Sequence, residues 1–156
     1  MNTTMRQVFL VGVDHRIQYL NASCGPDWRA RIRAFEDYLV SQASELSADF
    51  LAEEFSEELV TINSATACTV RDAAARAKCA HCFCEAPSSE RAQTGAALVE
   101  ARENYWLERI RGTGANRIIF VCGNDHLSSF TNRLQTAGYS TTELSRNWGV
   151  GWEYIQ

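Results

Sequence analysis

Two of the three histidines in this sequence stand in matching surroundings. Gly12-Val13-Asp14-His15 ends one apolar run, and Gly123-Asn124-Asp125-His126 follows another. In each, the glycine lets the chain turn sharply and lets a ligand approach the backbone, and the histidine is placed to point into a crevice. Imidazole changes charge near neutral pH and ligates metals. With carboxylate it makes a suitable ligand set for zinc, manganese, iron or cobalt. Carboxylates are at hand: Glu53 and Glu54 close a short apolar run, and Glu85 follows another. The plainer reading is that Asp14 and Asp125 cap the segments after them and the histidines only bond to loops.

These residues converge only if the elements before them are parallel strands. Val8-Phe9-Leu10-Val11-Gly12-Val13 has the length and β-branched content of a strand buried on both faces. Arg117-Ile118-Ile119-Phe120-Val121-Cys122 has the same character. Shorter strands are expected at 49–52 and 81–84, and a fifth at 139–144. Helices are expected between them. Trp28, Ile32, Phe35 and Leu39 recur at helical spacing after Gly25-Pro26-Asp27, with Asp27 as its cap. Residues 64–78 are rich in Ala and Arg and form a second helix. Leu98, Tyr105, Trp106 and Ile110 mark a third over 96–111, ended by Gly112, and a fourth covers 127–137 before Gly138. Alternating strands and helices predict one α/β domain over 1–156. It is an open, mainly parallel sheet of four to five strands with helices on both faces. In such a sheet ligands bind beyond the carboxyl ends of the strands, where His15, His126, Glu53 or Glu54, and Glu85 are expected to meet. Successive strand residues point to opposite faces, so one of Glu53 and Glu54 faces the crevice; the sequence does not say which. The tail, with Trp148, Trp152 and Tyr154, is expected to pack back on the domain.

Composition narrows the classes. Hydrophobic residues make up 46% and charged residues 22%, an ordinary globular balance. A net charge of −4 and a pI near 5.4 argue against nucleic acid or an anionic membrane as partner. No apolar run approaches the ~20 residues that span a bilayer, and residues 1–7 lack the apolar core of a secretion signal. Six cysteines raise the question of a disulfide framework. Several of them lie in strand-like apolar runs, where free Cys behaves as a small buried hydrophobe. Free thiols and a cytoplasmic setting are therefore expected. Cys79, Cys82 and Cys84 with His81 lack the second knuckle of a zinc site. The Cys79-x-x-Cys82 pair begins a strand rather than a helix, so no dipole lowers its thiol pKa. There is no phosphate-cradling glycine loop and no serine elbow.

The paired Gly-x-x-His motifs, the strand ending Ala52-Glu53-Glu54, a late helix opening with Arg102-Glu103 and carrying Tyr105-Trp106-Leu107, and the close Gly123-Asn124-Asp125-His126-Leu127 … Leu134 … Gly138-Tyr139 occur in a telling order. In that order the chain resembles the TraB/Tiki group and its erythromycin esterase-like and ChaN-like relatives. The resemblance implies a divalent-metal hydrolase site. His15, His126 and a strand-end glutamate (Glu54) would hold zinc, manganese or cobalt, a carboxylate off the metal (Glu53, Glu54 or Glu103) would be general base, and Arg102 would bind an anion or oxyanion. Relatives often carry Arg-Asn or Arg-Asp where this chain has Arg102-Glu103. The substrate would be a small molecule or peptide. The rival is a non-catalytic ligand-binding or interaction protein on the same fold. Spare carboxylates in a solvated crevice favour the enzyme; a site blocked by the C-terminal tryptophans favours the binder.

Overall fold

The computed structural model describes residues 4–90 and 96–152, with the backbone alone at Ala96 and Ala97. Strand β1 (Gln7–Val13) runs into a short 3-10 turn, His15–Gln18, and a two-residue strand β2 (Tyr19–Leu20). Then come α1 (Pro26–Glu45), β3 (Phe50–Glu53), α2 (Glu57–Ile62), β4 (Ala67–Cys68), α3 (Thr69–Ala77) and β5 (Ala80–Phe83). The chain continues through α4 (Ala96–Thr113), β6 (Arg117–Gly123), α5 (Leu127–Thr136) and β7 (Ser140–Trp148). The sheet order is β5-β3-β6-β1-β7, and every neighbouring pair is parallel. The α/β class and the open parallel sheet are as the alternating pattern predicts.

The period-two alternation of the central strands builds two cores. Phe9, Val11, Val13, Leu51, Ile119 and Val121 face α1 and α3, meeting Trp28, Ile32, Phe35, Leu39 and Val70. Val8, Leu10, Ala52, Ile118, Phe120 and Cys122 face α4 and α5, meeting Trp106, Ile110, Phe130 and Leu134. Helices on both faces explain why these strands read as unbroken apolar runs rather than alternating ones.

Several local expectations are corrected. Pro26 opens α1 with Gly25 at the cap position, so Asp27 lies in the first turn, where its charge suits the helix dipole. The stretch 64–78 is not one helix. Ala67 and Cys68 pair antiparallel with Leu20 and Tyr19, and only from Thr69 does the chain coil; the Thr69 hydroxyl donates to the Ile17 carbonyl at 2.7 Å. Glu57 and Glu58 open α2, whose cap is the Ser56 hydroxyl accepting from the Leu59 N–H. Helix α4 passes through Gly112, and Gly114, at φ +67°, takes the left-handed position after it. Because α4 begins at Ala96, Arg102 sits in the second turn of the helix rather than at its opening. Strand β7 reaches Trp148, four residues beyond the expected end at 144. Tyr154, in the tail expected to pack back on the domain, lies outside the described residues. All six cysteines are free. Among the described residues no helix is long and apolar enough to cross a membrane.

Candidate functional site

Because the five strands run the same way, their carboxyl ends share one edge. Val13 pairs with Gly123, Glu53 with Val121 on one side and with Phe83 on the other. The N–H of Glu54 donates to the Val121 carbonyl at 2.8 Å, which extends the β3–β6 ladder one residue and lays Glu54 beside Gly123.

Glu54 is the centre of the cluster. Its side chain is 2% exposed. Oε1 accepts from the Gly123 N–H at 2.9 Å and faces His15 Nε2 at 3.5 Å. Oε2 accepts from Arg102 Nη2 and faces His126 Nε2 at 3.6 Å. One buried carboxylate thus has an imidazole opposite each oxygen. Neither Gly12 nor Gly123 has a positive φ; they are small for room, not for turning. A Cβ on Gly123 would lie 2.8 Å from His15 Nε2, and one on Gly12 would press on Asn124 and, at 2.6 Å, on Leu127.

The far nitrogen of each imidazole is anchored. His126 Nδ1 donates to Glu103 Oε2 at 2.8 Å, and Glu103 also accepts from Ser129 Oγ at 2.6 Å and Arg133 Nε at 3.1 Å. The His126 ring packs edge-on against Trp106, centroids 4.8 Å apart. His15 Nδ1 meets Gln18 Oε1 at 2.7 Å. The Gln18 amide nitrogen lies 3.0 Å from Glu53 Oε1 and 3.4 Å from the Glu54 carbonyl, and its oxygen faces His15 Nδ1. Glu53 Oε2 in turn meets His81 Nε2 at 2.5 Å. The result is a chain, His81–Glu53–Gln18–His15, that ends at Glu54.

Burial decides the charges. Full burial pushes the Glu53 carboxyl above its ordinary value, only partly offset by hydrogen bonds with His81 and Gln18. For His126 burial pulls the pKa down, but the Glu103 hydrogen bond and the Glu54 charge outweigh it and leave the imidazole above 6.5. Burial pushes Glu103 up, and the hydrogen bonds from His126, Ser129 and Arg133 outweigh it and hold it below the ordinary carboxylate range.

Sequence reasoning placed His15, His126, Glu54 and Arg102 here, and the structure brings these four together. Of the glutamate pair, Glu54 faces the cleft. Glu53 turns to the opposite face, where it reaches His15 only through Gln18. Glu103 is fully buried behind His126. Arg102 bridges Glu54 and Glu85, with Nη2 at 2.5 Å from Glu85 Oε2 and its guanidinium 5.6 Å over the Trp106 ring. Glu85 is thus a full member, holding Arg102 while accepting from the Ala86 N–H and Trp106 Nε1. Asp14 caps the 3-10 turn by accepting from the Arg16 N–H, as the plainer reading expected, yet His15 at the same corner points at Glu54. Asp125 is exposed. Sequence reasoning missed Gln18, Ser129 and Arg133. Gln18 alone carried a signal, three residues after His15 in the same turn.

A cleft of about 260 Å³ opens on the cluster, lined among others by His15, Tyr19, Glu54, Phe55, Glu85 and Arg102. Trp148 and Trp152 pack on the α1 face against Trp28, Phe35 and Tyr38, away from it. Two imidazole nitrogens anchored through their other nitrogen, plus a carboxylate, fit a divalent ion in donor chemistry. Among the described residues no three such groups form a ready cage, however, and Arg102 holds one Glu54 oxygen.

Fold and site together define a parallel α/β protein with a His–Glu–His cluster and an arginine clamp at the carboxyl edge of its sheet. Comparison with protein-family models, with curated proteins and with solved structures finds no match to the chain.

Proposed function

We propose that the chain is a hydrolase of the TraB/Tiki and erythromycin esterase-like type, acting on a small-molecule or peptide substrate in the cleft at His15, Glu54 and Arg102. The observation that carries it is the pair of imidazoles facing the two oxygens of one buried carboxylate, each with its other nitrogen tied down. Imidazoles serving only the fold would end on loops; these end on each other's carboxylate. The open cleft, which the C-terminal tryptophans do not line, favours the enzyme over its binding-protein rival, although its carboxylates Glu54 and Glu85 are buried and held by Arg102.

His15, His126 and Glu54 are the residues that would hold zinc, manganese or cobalt. When bound, such an ion would lower the pKa of a water and polarise the scissile bond. The protein's own groups prepare the rest. Gln18 and Glu103 fix the imidazole orientations. The Gly123 N–H and Arg102 orient Glu54, the carboxylate that both lines the cleft and faces the imidazoles. Arg102 also brings positive charge to the place where an oxyanion would develop.

The test is thermal unfolding with each of the three ions, beside hydrolysis of ester, phosphoester and peptide panels. Stabilisation lost in His15→Ala and in His126→Ala, with both variants folded, supports the reading. No shift with any ion leaves a metal-free or binding role, and variants that unfold outright make the histidines core residues.

A further inference from the structure

A second chemical site lies on the β5 edge of the sheet, outside the histidine cluster. Cys82 and Cys84 sit two residues apart on β5 and its extension, so both side chains project to the same face. Their sulfurs are 3.7 Å apart, with the Cys84 thiol placed to donate to Cys82 Sγ. Arg109 of α4 reaches across with Nη2 at 3.5 Å from Cys82 Sγ, and the same nitrogen donates to the Phe83 carbonyl at 3.2 Å. Cys82 is half-buried and lines a cleft of about 470 Å³ with Arg71, His81, Tyr105 and Arg109. Cys84 is fully buried behind it. Sequence reasoning weighed Cys79 with Cys82 and took buried, inert thiols as the default. The structure separates those two. Cys79 Sγ points to the Ala48 carbonyl at 3.1 Å, and Cys82 pairs with Cys84 instead.

We propose that Cys82 and Cys84 form a redox pair that reacts with small hydroperoxides, Cys82 as the attacking thiolate and Cys84 as the resolving thiol. Cys82 has what a nucleophilic thiol needs: an opening to solvent, a cation beside the sulfur and a second donor behind it. The Cys84 hydrogen bond, with help from Arg109, lowers the Cys82 pKa from 9.0 to about 6 against the opposing effect of burial. The same hydrogen bond, with burial, raises that of Cys84, which keeps its proton while Cys82 is an anion. A bound metal cation is a poor alternative, because it would lie against Arg109.

The chemistry balances. The Cys82 thiolate attacks the distal peroxide oxygen; an S–O bond forms and the O–O bond breaks. Sulfur loses two electrons, the peroxide gains them, and the departing alkoxide or hydroxide takes a proton from solvent. Cys82 is now a neutral sulfenic acid, and Cys84 no longer faces an anion. Cys84 gives up its proton and attacks the Cys82 sulfur; the S–S bond forms, the S–O bond breaks, and hydroxide leaves with that proton as water. Strand residues two apart have Cα atoms about 6.6 Å apart, near the upper limit for a disulfide. Such a bridge is strained and readily reduced by an external thiol, as a reversible site requires.

The experiment uses the full chain, one equivalent of hydrogen peroxide at neutral pH, and mass mapping of the thiols. The expected result is loss of two of the six thiols, a mass decrease of two hydrogen atoms, and Cys82 joined to Cys84. Cys84→Ser, or Cys84→Ala should the first fold poorly, should stop at a sulfenic acid on Cys82 that a 1,3-diketone traps. Cys82→Ser should give neither product. The pH profile of Cys82 alkylation should have its midpoint near 6, and Arg109→Gln should move it upward. Oxidation falling first on Cys24, Cys68, Cys79 or Cys122, or an alkylation midpoint at the ordinary thiol value, would overturn the proposal.

Discussion

Replacing Arg102 by methionine removes one cation from between two carboxylates that have almost no access to water. The Glu54 and Glu85 side chains are 2% and 1% exposed. Taking one partner from a buried ion pair costs about 3–5 kcal/mol, because the other charge stays buried without compensation. Here each carboxylate keeps other donors: Gly123 N–H for Glu54, and Ala86 N–H with Trp106 Nε1 for Glu85. That places Arg102→Met at the lower end, roughly 3 kcal/mol near neutral pH. Arg102→Lys keeps the charge but not the fork that reaches both carboxylates, and should cost about 1–2 kcal/mol while still impairing function. Urea unfolding of parent and variant near neutral pH measures this, and Arg102→Met/Glu85→Gln should recover part of the loss, because it removes one of the two carboxylates left without a cation. A deficit under about 1 kcal/mol, or a double variant no more stable than Arg102→Met, would refute this account of the clamp.

Three further outcomes are expected. Gly123→Ala should cost only about 1 kcal/mol, because the half-exposed His15 can swing away, yet it should abolish any metal-induced thermal shift; Gly12→Ala meets the buried Leu127 and should cost more. Glu53 takes up a proton on folding, so its contribution to stability declines as pH rises from its unfolded value of 4.5 through its raised folded value; Glu53→Gln should flatten that part of a stability–pH curve, and a parallel curve would refute the assignment. His126 holds a proton above its ordinary 6.5, so an ion must displace it and metal-induced stabilisation should grow from about pH 6 to pH 8; a shift independent of pH would show that His126 is not a ligand.

The parts of the fold that were legible in the sequence are those where one rule acts alone. Val8 to Val13 and Ile118 to Cys122 are covered by helices on both faces, so their apolar runs had one reading, and the shared strand direction carried both Gly-x-x-His corners to one edge. The errors fall where long-range pairing overrides local preference. Residues 67–68 look helical among alanines, but Tyr19–Leu20 offers them a strand partner that no local window contains. Gly112 resembled a helix end because glycine often is one, yet the end fell two residues later at Gly114. Within the site, residue types were legible and their division of labour was not. Glu53 and Glu54 are adjacent in sequence and opposite in space, and only the sheet face chosen by β3 separates the carboxylate in the cleft from the one behind it.

That separation gives the two histidines different supports. His126 is held by an anion, Glu103, which is itself held by Arg133 and Ser129; charge fixes the ring and favours its protonated form. His15 is held by a neutral amide, and the amide is oriented by Glu53, whose burial disfavours its charge. Glu54 therefore faces two imidazoles that are held in different ways, one by charge and one through a neutral amide. The distinction can be tested by removing one support. Gln18→Ala takes away the side chain that holds His15 Nδ1 and should abolish the metal-induced thermal shift while the variant stays folded. If the shift is unchanged, Gln18 does not orient that ring, and the asymmetry of the cluster would have to come from elsewhere.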